Sequence, residues 1–135
     1  MTVRAGRLQV GIVPSDLGAS LAFYRDALGL PYEGTRPALE GRSLHLFAVG
    51  DAVLKLLETG DTPRARAPRG AFADATGVRW ITVDVDDLDA VVARCEAAGA
   101  RTQLPLTALR PGLRLAIVED PDGNAIELVE RSDGA

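Results

Sequence analysis

Four side chains with useful chemistry occupy equivalent places in an internal repeat of this sequence. The segment "RLQVGIVPSDLGASLAFYRDALGL" is echoed by "VRWITVDVDDLDAVVARCEAAGA", which pairs Gln9 with Trp80. Farther on, "AVLKLLE" is echoed by "NAIELVE", which pairs Lys55, the only lysine, with Glu127. A carboxylate can accept hydrogen bonds or act as a general base, an ammonium can stabilise negative charge, and an indole can stack on a flat ring. The chain is therefore expected to contain two copies of one unit, each supplying two of these residues.

Each copy predicts a strand, a helix and then three strands, from apolar alternation and from apolar residues at helical spacing. Ser15 or Asp16 can cap the first helix, which is expected to end at Gly29. Expected strands are residues 8–13, 32–36, 43–49, 52–58, 78–84, 100–104, 113–118 and 125–131, and expected helices are residues 17–28 and 88–98. The predicted fold class is α+β: one domain of two tandem βαβββ modules, about residues 6–59 and 78–131, joined by a linker at about 60–77.

Composition excludes several classes of protein. A length of 135 residues with 47% hydrophobic residues suits one domain with a real core. The net charge of -4 argues against a nucleic-acid partner, because phosphate binding requires a basic face. No apolar run could span a membrane, and the first residues lack the apolar stretch of a signal peptide, so a cytoplasmic protein is expected. The single Cys95 cannot form an intramolecular disulfide, and its place on an apolar helical stripe predicts a buried, inert thiol.

Strand alternation predicts which side chains share a face. Leu8, Val10 and Ile12 should meet the helix of the first copy, which leaves Gln9 on the opposite, concave face. The same reasoning places the following side chains on the concave faces: Gln9, Lys55, Trp80, Thr82 and Glu127.

The doubled unit, with "SDLGASLAFYRDALGL" in the first half and "DDLDAVVARCEAAGA" and "DPDGNAIELVE" in the second, resembles the glyoxalase, bleomycin-resistance and extradiol-dioxygenase superfamily. These proteins are also called vicinal oxygen chelate proteins. The resemblance implies that two curved mixed sheets form a cup, within one chain or across two. Metal-dependent members place four ligands on the first and last strands of each unit, at positions that correspond to Gln9, Lys55, Trp80 and Glu127. Members of this size commonly form homodimers, so a homodimer is expected.

The metal-ligand set of the family is broken in this sequence. A protonated lysine and an indole N–H are donors without a lone pair for a divalent cation, so neither a metal nor another cofactor is expected. Lys55 can instead form an ion pair with Glu127 in place of the metal's charge, which would compensate two otherwise costly charges. Alternatively, Lys55 and Gln9 donate to a ligand's oxygen while Glu127 accepts from a ligand's hydroxyl or amine, and both interpretations can hold together.

Trp80 has two interpretations: a large side chain that fills the space of the absent metal, or a platform on which a planar ligand stacks. Antibiotic-sequestering members of the superfamily hold large, often planar drugs with aromatic residues, and this likeness favours a binding protein. Phe47, Phe72 and Tyr32 are further aromatic candidates, although the pattern does not fix their orientation.

Histidine and arginine supply the remaining candidates. His45, the only histidine, is interpreted as an ordinary strand residue, and Arg114 as a fixed cation for the ligand. The composition of the linker indicates a solvated connection. A sharper alternative is that Arg64, Arg66 or Arg69 folds over the mouth of the cup and meets an anionic group.

Three functions follow from these residues. The first and preferred one is a metal-free binding protein for a small, planar or amphipathic natural product, of the drug-sequestering, self-resistance type. The second is a metal-independent isomerase or cyclase of secondary metabolism, with Glu127 as acid or base and Lys55 as electrostatic stabiliser or Schiff-base lysine. The third is a residual metal-dependent lyase or dioxygenase that uses Gln9, Glu127 and one further ligand. The identity of the ligand, and the choice between binder and enzyme, stay open.

Overall fold

The computed structural model describes residues 8–132, which divide into two compact units, with the boundary in the chain between residues 66 and 67. The first unit comprises β1 (Gln9–Ile12), α1 (Leu17–Leu21), a π-helical segment (Ala22–Ala27), β2 (Tyr32–Pro37), a short 3-10 turn (Leu39–Gly41), β3 (Ser43–Val49) and β4 (Ala52–Glu58). The second comprises a 3-10 turn (Phe72–Asp74), β5 (Trp80–Asp84), α2 (Leu88–Ala97), β6 (Thr102–Arg110), β7 (Leu113–Glu119) and β8 (Ala125–Arg131). The order strand, helix and three strands is confirmed in both units. Residues 6 and 7 of the predicted first module lie outside the described part.

Each unit contains a mixed four-stranded sheet with the same topology. The strand orders are β1-β4-β3-β2 and β5-β8-β7-β6, so the first and last strands of each unit are neighbours. These two strands run parallel in both units, whereas the other neighbouring pairs are antiparallel. The predicted α+β class is confirmed, and the parallel pairing places the predicted ligand positions of each unit on neighbouring strands, two residues apart in register.

An aspartate begins the helix in each unit. The Asp16 carboxylate accepts a hydrogen bond from the backbone N–H of Ala19 at 3.1 Å. The Asp87 carboxylate accepts from the backbone N–H of Ala90 at 3.2 Å. Such caps satisfy donors that the first helical turn leaves unpaired and are each worth about 1 kcal/mol. Of the two predicted caps, Ser15 and Asp16, the structure uses Asp16.

The first helix differs from the single α-helix expected over residues 17–28. Its second half, Ala22–Ala27, is π-helical, and the backbone N–H of Leu28 bonds to the carbonyl of Phe23 at 2.9 Å, five residues earlier. The caps are 71 residues apart in sequence, whereas the C-terminal glycines, Gly29 and Gly99, are 70 apart. Both glycines have positive φ. The first helix therefore carries one extra residue between equivalent ends, and the widened π turn accommodates it.

Each sheet packs its helix on one face. In the first unit Tyr24 and Phe47 are fully buried, with ring centroids 6.2 Å apart. In the second unit the helix residues Leu88 and Cys95 are fully buried, together with Leu128. Burying one such side chain contributes about 1.5–3 kcal/mol, so these faces hold each unit together.

Two segments of the second unit differ from the prediction. Strand β6 continues to Arg110 instead of ending at residue 104, with irregular register against β7. The predicted linker contributes the 3-10 turn Phe72–Asp74. None of the helices in residues 8–132 has the length and hydropathy needed to cross a lipid bilayer.

Candidate functional site

One face of the second unit's sheet presents Trp80, Thr82 and Glu127. In the parallel pair β5–β8, Trp80 lies beside Ala125 and Thr82 lies beside Glu127. Alternate residues of a strand share a face, so these side chains project on the same side. Trp80 and Thr82 are exposed, whereas Val83, between Thr82 and Asp84, is buried. The face is therefore the one opposite the helix, as the alternation predicts.

The Glu127 carboxylate is oriented by a neighbouring hydroxyl. Thr82 Oγ1 donates to Glu127 Oε1 at 2.7 Å. Within its own unit, Oε2 has no hydrogen-bond partner among the described residues. A charge-assisted bond of this length holds the carboxylate in place and leaves one oxygen to accept from a ligand. The same group could serve as a general base in a reaction.

Aliphatic side chains of β7 and β8 lie on the same face as Glu127. Leu115 lies beside Val129 in the β7–β8 register, and Ile117 lies beside Glu127. A buried cluster on this side consists of Leu113, Leu115 and Val129, with Leu104 packed against it. A packed apolar cluster therefore lies beside the carboxylate, and the exposed indole of Trp80 supplies the accessible aromatic surface of this face.

Trp80 forms an aromatic pair with Phe72. The two ring centroids are 5.2 Å apart and the ring planes meet at 61°. The Trp80 residue is 51% exposed, so its ring is available to a ligand as well as to Phe72. Phe72 belongs to the predicted linker, and its contact with Trp80 had no signal in the strand pattern.

Residues 69–74, which we call the strap, are fastened to the second unit at several points. Arg69 Nη2 donates to the carbonyl of Pro121 at 2.6 Å, and its Nη1 lies 3.5 Å from Glu119 Oε1. Gln103 Nε2 donates to the carbonyl of Gly70 at 3.1 Å, and Gln103 Oε1 accepts from the backbone N–H of Phe72 at 3.2 Å. This part of the linker is therefore not a free solvated connection.

In the first unit, Gln9 and Lys55 share the face opposite the helix. Gln9 lies beside Val53 and Gly11 lies beside Lys55 in the parallel β1–β4 register. Gln9 is exposed and Lys55 half-buried, and a Cβ added to Gly11 would meet no atom within 4 Å. There is thus open space beside the lysine. The ion pair between Lys55 and Glu127 would join the two units and stays a prediction.

The four predicted metal positions do not form a metal-binding set. Gln9 and Glu127 offer oxygen ligands, but Lys55 offers an ammonium and Trp80 an indole N–H, which cannot replace imidazole or carboxylate. In residues 8–132, no group of three or more His, Cys, Asp or Glu side chains lies close enough to hold a metal ion. The residues present therefore do not fit the metal of the family's metal-dependent members.

Arg114 lies on the helix side of its sheet, not beside Glu127. Its Nη2 donates to Glu130 Oε1 at 2.7 Å and to Asp89 Oδ2 at 2.8 Å. Glu130 Oε2 accepts from the backbone N–H of Leu88, at the start of α2. The hydrogen bond from Arg114 lowers the pKa of Asp89, while those from Leu88 and then Arg114 lower the pKa of Glu130. This cation fastens the helix to the sheet, and its geometry does not assign it to the ligand.

His45 is also on the helix side, in a hydrogen-bond chain that the sequence reasoning missed. Its Nδ1 lies 2.9 Å from Tyr32 Oη and its Nε2 lies 2.8 Å from Glu58 Oε1. His45 is 8% exposed, and Tyr32 packs on the buried ring of Phe47 at 5.3 Å. The side chains of Tyr32 and Phe47 therefore make structural contacts within the first unit. The β3–β4 register, in which His45 faces Leu56, was the signal that could have placed His45 and Glu58 together.

Cys95 is buried in the second unit's core. Burial raises the pKa of its thiol to about 11. A thiol that stays protonated is a poor nucleophile, which agrees with the predicted inert role.

Comparisons with known proteins identify the family of this chain. The family model of the Glyoxalase/Bleomycin resistance protein/Dioxygenase superfamily matches residues 6–128. The chain belongs to this superfamily. It is 31% identical over 124 residues to the uncharacterized protein YaeR of Escherichia coli, covering 90% of this chain and 93% of that protein. It is also 31% identical over 125 residues to a lactoylglutathione lyase of Neisseria meningitidis, covering 88% of this chain and 86% of the lyase.

Solved structures of the superfamily agree with the fold. A glyoxalase family protein from Bacillus cereus superimposes with a TM-score of 0.78 at 22% identity, covering 92% of each chain. This likeness shows that the two proteins share one fold, in which two βαβββ modules follow each other. The choice of ligand rests on the side chains of this chain.

Proposed function

We propose that this superfamily member binds a small, planar or amphipathic natural product without a metal ion, and so sequesters or carries it. The observation that carries the proposal is the face of the second unit, where the half-exposed Trp80 accompanies a carboxylate held by Thr82. Gln9 and Lys55, on the corresponding face of the first unit, are proposed as further ligand contacts. The expected homodimer and the expected cytoplasmic location are parts of the same proposal.

Physical chemistry supports a binding role for this face. An exposed indole attracts a flat ring in offset stacking, worth about 0.5–1.5 kcal/mol beyond the apolar area that is buried. The free oxygen of Glu127 adds a directional contact for a hydroxyl or amine. The aliphatic side chains of Leu115 and Val129 are packed in a buried cluster next to Glu127, which makes the surroundings of the carboxylate apolar.

The test uses Trp80 as its own reporter, because it is the only tryptophan. Its fluorescence is titrated with a panel of planar and polyketide-like compounds, and each ligand is then recovered and analysed by chromatography and mass. We expect saturable quenching with an unchanged ligand. A panel without any saturable response would refute the binding proposal.

The second candidate is an enzyme, favoured by the oriented carboxylate of Glu127 and by the similarity to a lactoylglutathione lyase. A metal-independent isomerase or cyclase could use Glu127 as acid or base, with Lys55 stabilising negative charge. Recovery of a transformed compound from the same titration would select this candidate. The Glu127→Gln variant should then bind the compound and fail to convert it. The residual metal-dependent lyase is disfavoured by the donor set at the four family positions.

A further inference from the structure

We infer that the strap, residues 69–74, is a wall of the ligand site, with Phe72 and Trp80 forming a corner selective for an aromatic ring that carries a hydrogen-bond donor. This inference rests on the proposed binding function and specifies the chemical class of the ligand. It gives Phe72 a role in specificity and Gln103 a role in positioning Phe72.

Gln103 holds the strap through its whole amide group. Its oxygen accepts from the backbone N–H of Phe72, and its nitrogen donates to the carbonyl of Gly70 and to Glu119 Oε2, the latter at 3.1 Å. An amide with one N–H for each of two acceptors and its oxygen engaged is well satisfied. Gln103 therefore sets the place of the Phe72 backbone.

The buried charge of Glu119 depends on the strap for one of its partners. Glu119 is 8% exposed, and its carboxylate is shared between Arg69 and Gln103. A buried carboxylate that lost such partners would be costly, which opposes detachment of the strap. Gly123 permits the arrangement, because a Cβ there would lie 3.0 Å from Arg69 Cγ.

The Phe72 and Trp80 rings form the corner by meeting at an angle. Two rings that meet at 61° do not stack on each other, so together they offer an angled aromatic surface. A flat ring can lie against one of them and meet the edge of the other, and both arrangements are favourable between aromatic groups. A saturated ring of similar size has no aromatic face or edge and loses this part of the interaction.

The distance from the aromatic corner to the Glu127 carboxylate restricts the ligand further. Trp80 is level with Ala125 on β8, and Glu127 lies two residues further along the same face. Two residues of a strand span roughly 7 Å. A ligand that reaches both groups should therefore carry its donor, an amine or hydroxyl, roughly that far from its ring. An anionic substituent at that place would be repelled by Glu127.

The test compares three probes on the full chain: 2-(1-naphthyl)ethylamine, 2-cyclohexylethylamine and 3-(1-naphthyl)propanoic acid. Binding is followed by calorimetry and by the single indole Nε1–H signal of Trp80 in the ¹H–¹⁵N spectrum. We expect the aromatic amine to bind more tightly than the other two probes. The Phe72→Leu variant should weaken its binding about two- to ten-fold while leaving the cyclohexyl amine unchanged.

Matched variants separate specificity from folding. Phe72→Tyr keeps the ring and should retain the naphthyl preference, and Leu109→Ala, at an exposed residue of β6, should change nothing. Gln103→Leu should reduce the ratio of naphthyl to cyclohexyl affinity, a readout that a purely structural role for Gln103 would not move. Circular dichroism checks that each variant is folded.

Each failure has a distinct meaning. Equal affinity for the naphthyl and cyclohexyl amines, or an unchanged ratio in folded Phe72→Leu, would overturn the inference and leave the proposed binding function standing. Failure of the naphthyl amine to bind, while other compounds of the fluorescence panel do, would also overturn it. Absence of binding for every compound would refute the proposed function as well.

Discussion

Removal of the Tyr32 hydroxyl should destabilise the first unit through the chain from Tyr32 to His45 and Glu58. A carboxylate only accepts hydrogen bonds, so an ionised Glu58 requires a proton on His45 Nε2. In the neutral imidazole, Nδ1 is then the acceptor for the Tyr32 hydroxyl, at 2.9 Å. The Tyr32→Phe variant keeps the ring that packs on Phe47 and leaves Nδ1 without its donor.

The expected cost follows from burial. A neutral hydrogen bond contributes about 1 kcal/mol to stability, and a buried acceptor without its partner costs about 1–3 kcal/mol. His45 is 8% exposed but Tyr32 is 38% exposed, so water can partly replace the hydroxyl. We therefore expect a loss of about 1–2 kcal/mol in the free energy of unfolding, at the lower end of the range for a buried acceptor without its partner. Glu58→Gln should cost less, because the amide oxygen can still accept from Nε2.

Urea denaturation, followed by circular dichroism at pH 7, measures the loss. With a denaturant slope of about 2 kcal/mol per molar, the midpoint should fall by about 0.5–1 M. A double-mutant cycle with Tyr32→Phe and His45→Phe isolates the pair, and its coupling energy should exceed about 0.5 kcal/mol. A coupling energy near zero, or an unchanged midpoint in Tyr32→Phe, would show that the chain does not stabilise the unit.

Two further predictions concern the second unit. The hydrogen bond from Arg114 lowers the pKa of Asp89. The pKa of Glu130 is lowered first by the backbone N–H of Leu88 and then by Arg114. These carboxylates therefore stabilise the fold above pH about 4, and the stabilisation is lost as the pH falls through their lowered pKa values. Arg114→Met should therefore lower the urea midpoint at pH 7 and reduce the difference between the midpoints at pH 7 and pH 3. The exposed control Arg110→Met should keep the wild-type dependence of the midpoint on pH. The same dependence on pH in both variants would contradict the reasoning. Cys95, with its thiol pKa raised to about 11 by burial, should react with a thiol reagent at pH 8 only after unfolding, and rapid labelling of the native protein would contradict its burial.

Much of the fold could be predicted because short sequence patterns mark the strands and helices of each repeat. Alternation places Gln9 and Trp80 on exposed faces and Val83 in the core, and the structure agrees. The aspartate caps and the glycines that end the helices give further local signals. The π-helical segment was not predicted, although the change of repeat spacing from 71 to 70 residues between the two ends of the helix contained the information.

The candidate site could be predicted only where strand pairing decides it. Thr82 and Glu127 meet because the first and last strands of the unit are parallel neighbours, and the alternation placed both on one face. Arg114 shows the limit, because alternation separated it from Leu113 and Leu115 but did not say which side carries the helix. Its carboxylate partners lie on the helix side, and its predicted contact with a ligand stays a prediction.

By itself, the sequence determined the doubled βαβββ unit and the faces of its strands, because these follow from periods of two and 3.6 residues. Only the tertiary structure decided that the strap reaches Trp80 and that Gln103 and Glu119 fasten it. These contacts join residues about 8 to 50 positions apart through side chains, and no local period encodes them. His45 differs from these contacts, because the predicted β3–β4 hairpin already contained the register that brings His45 and Glu58 together.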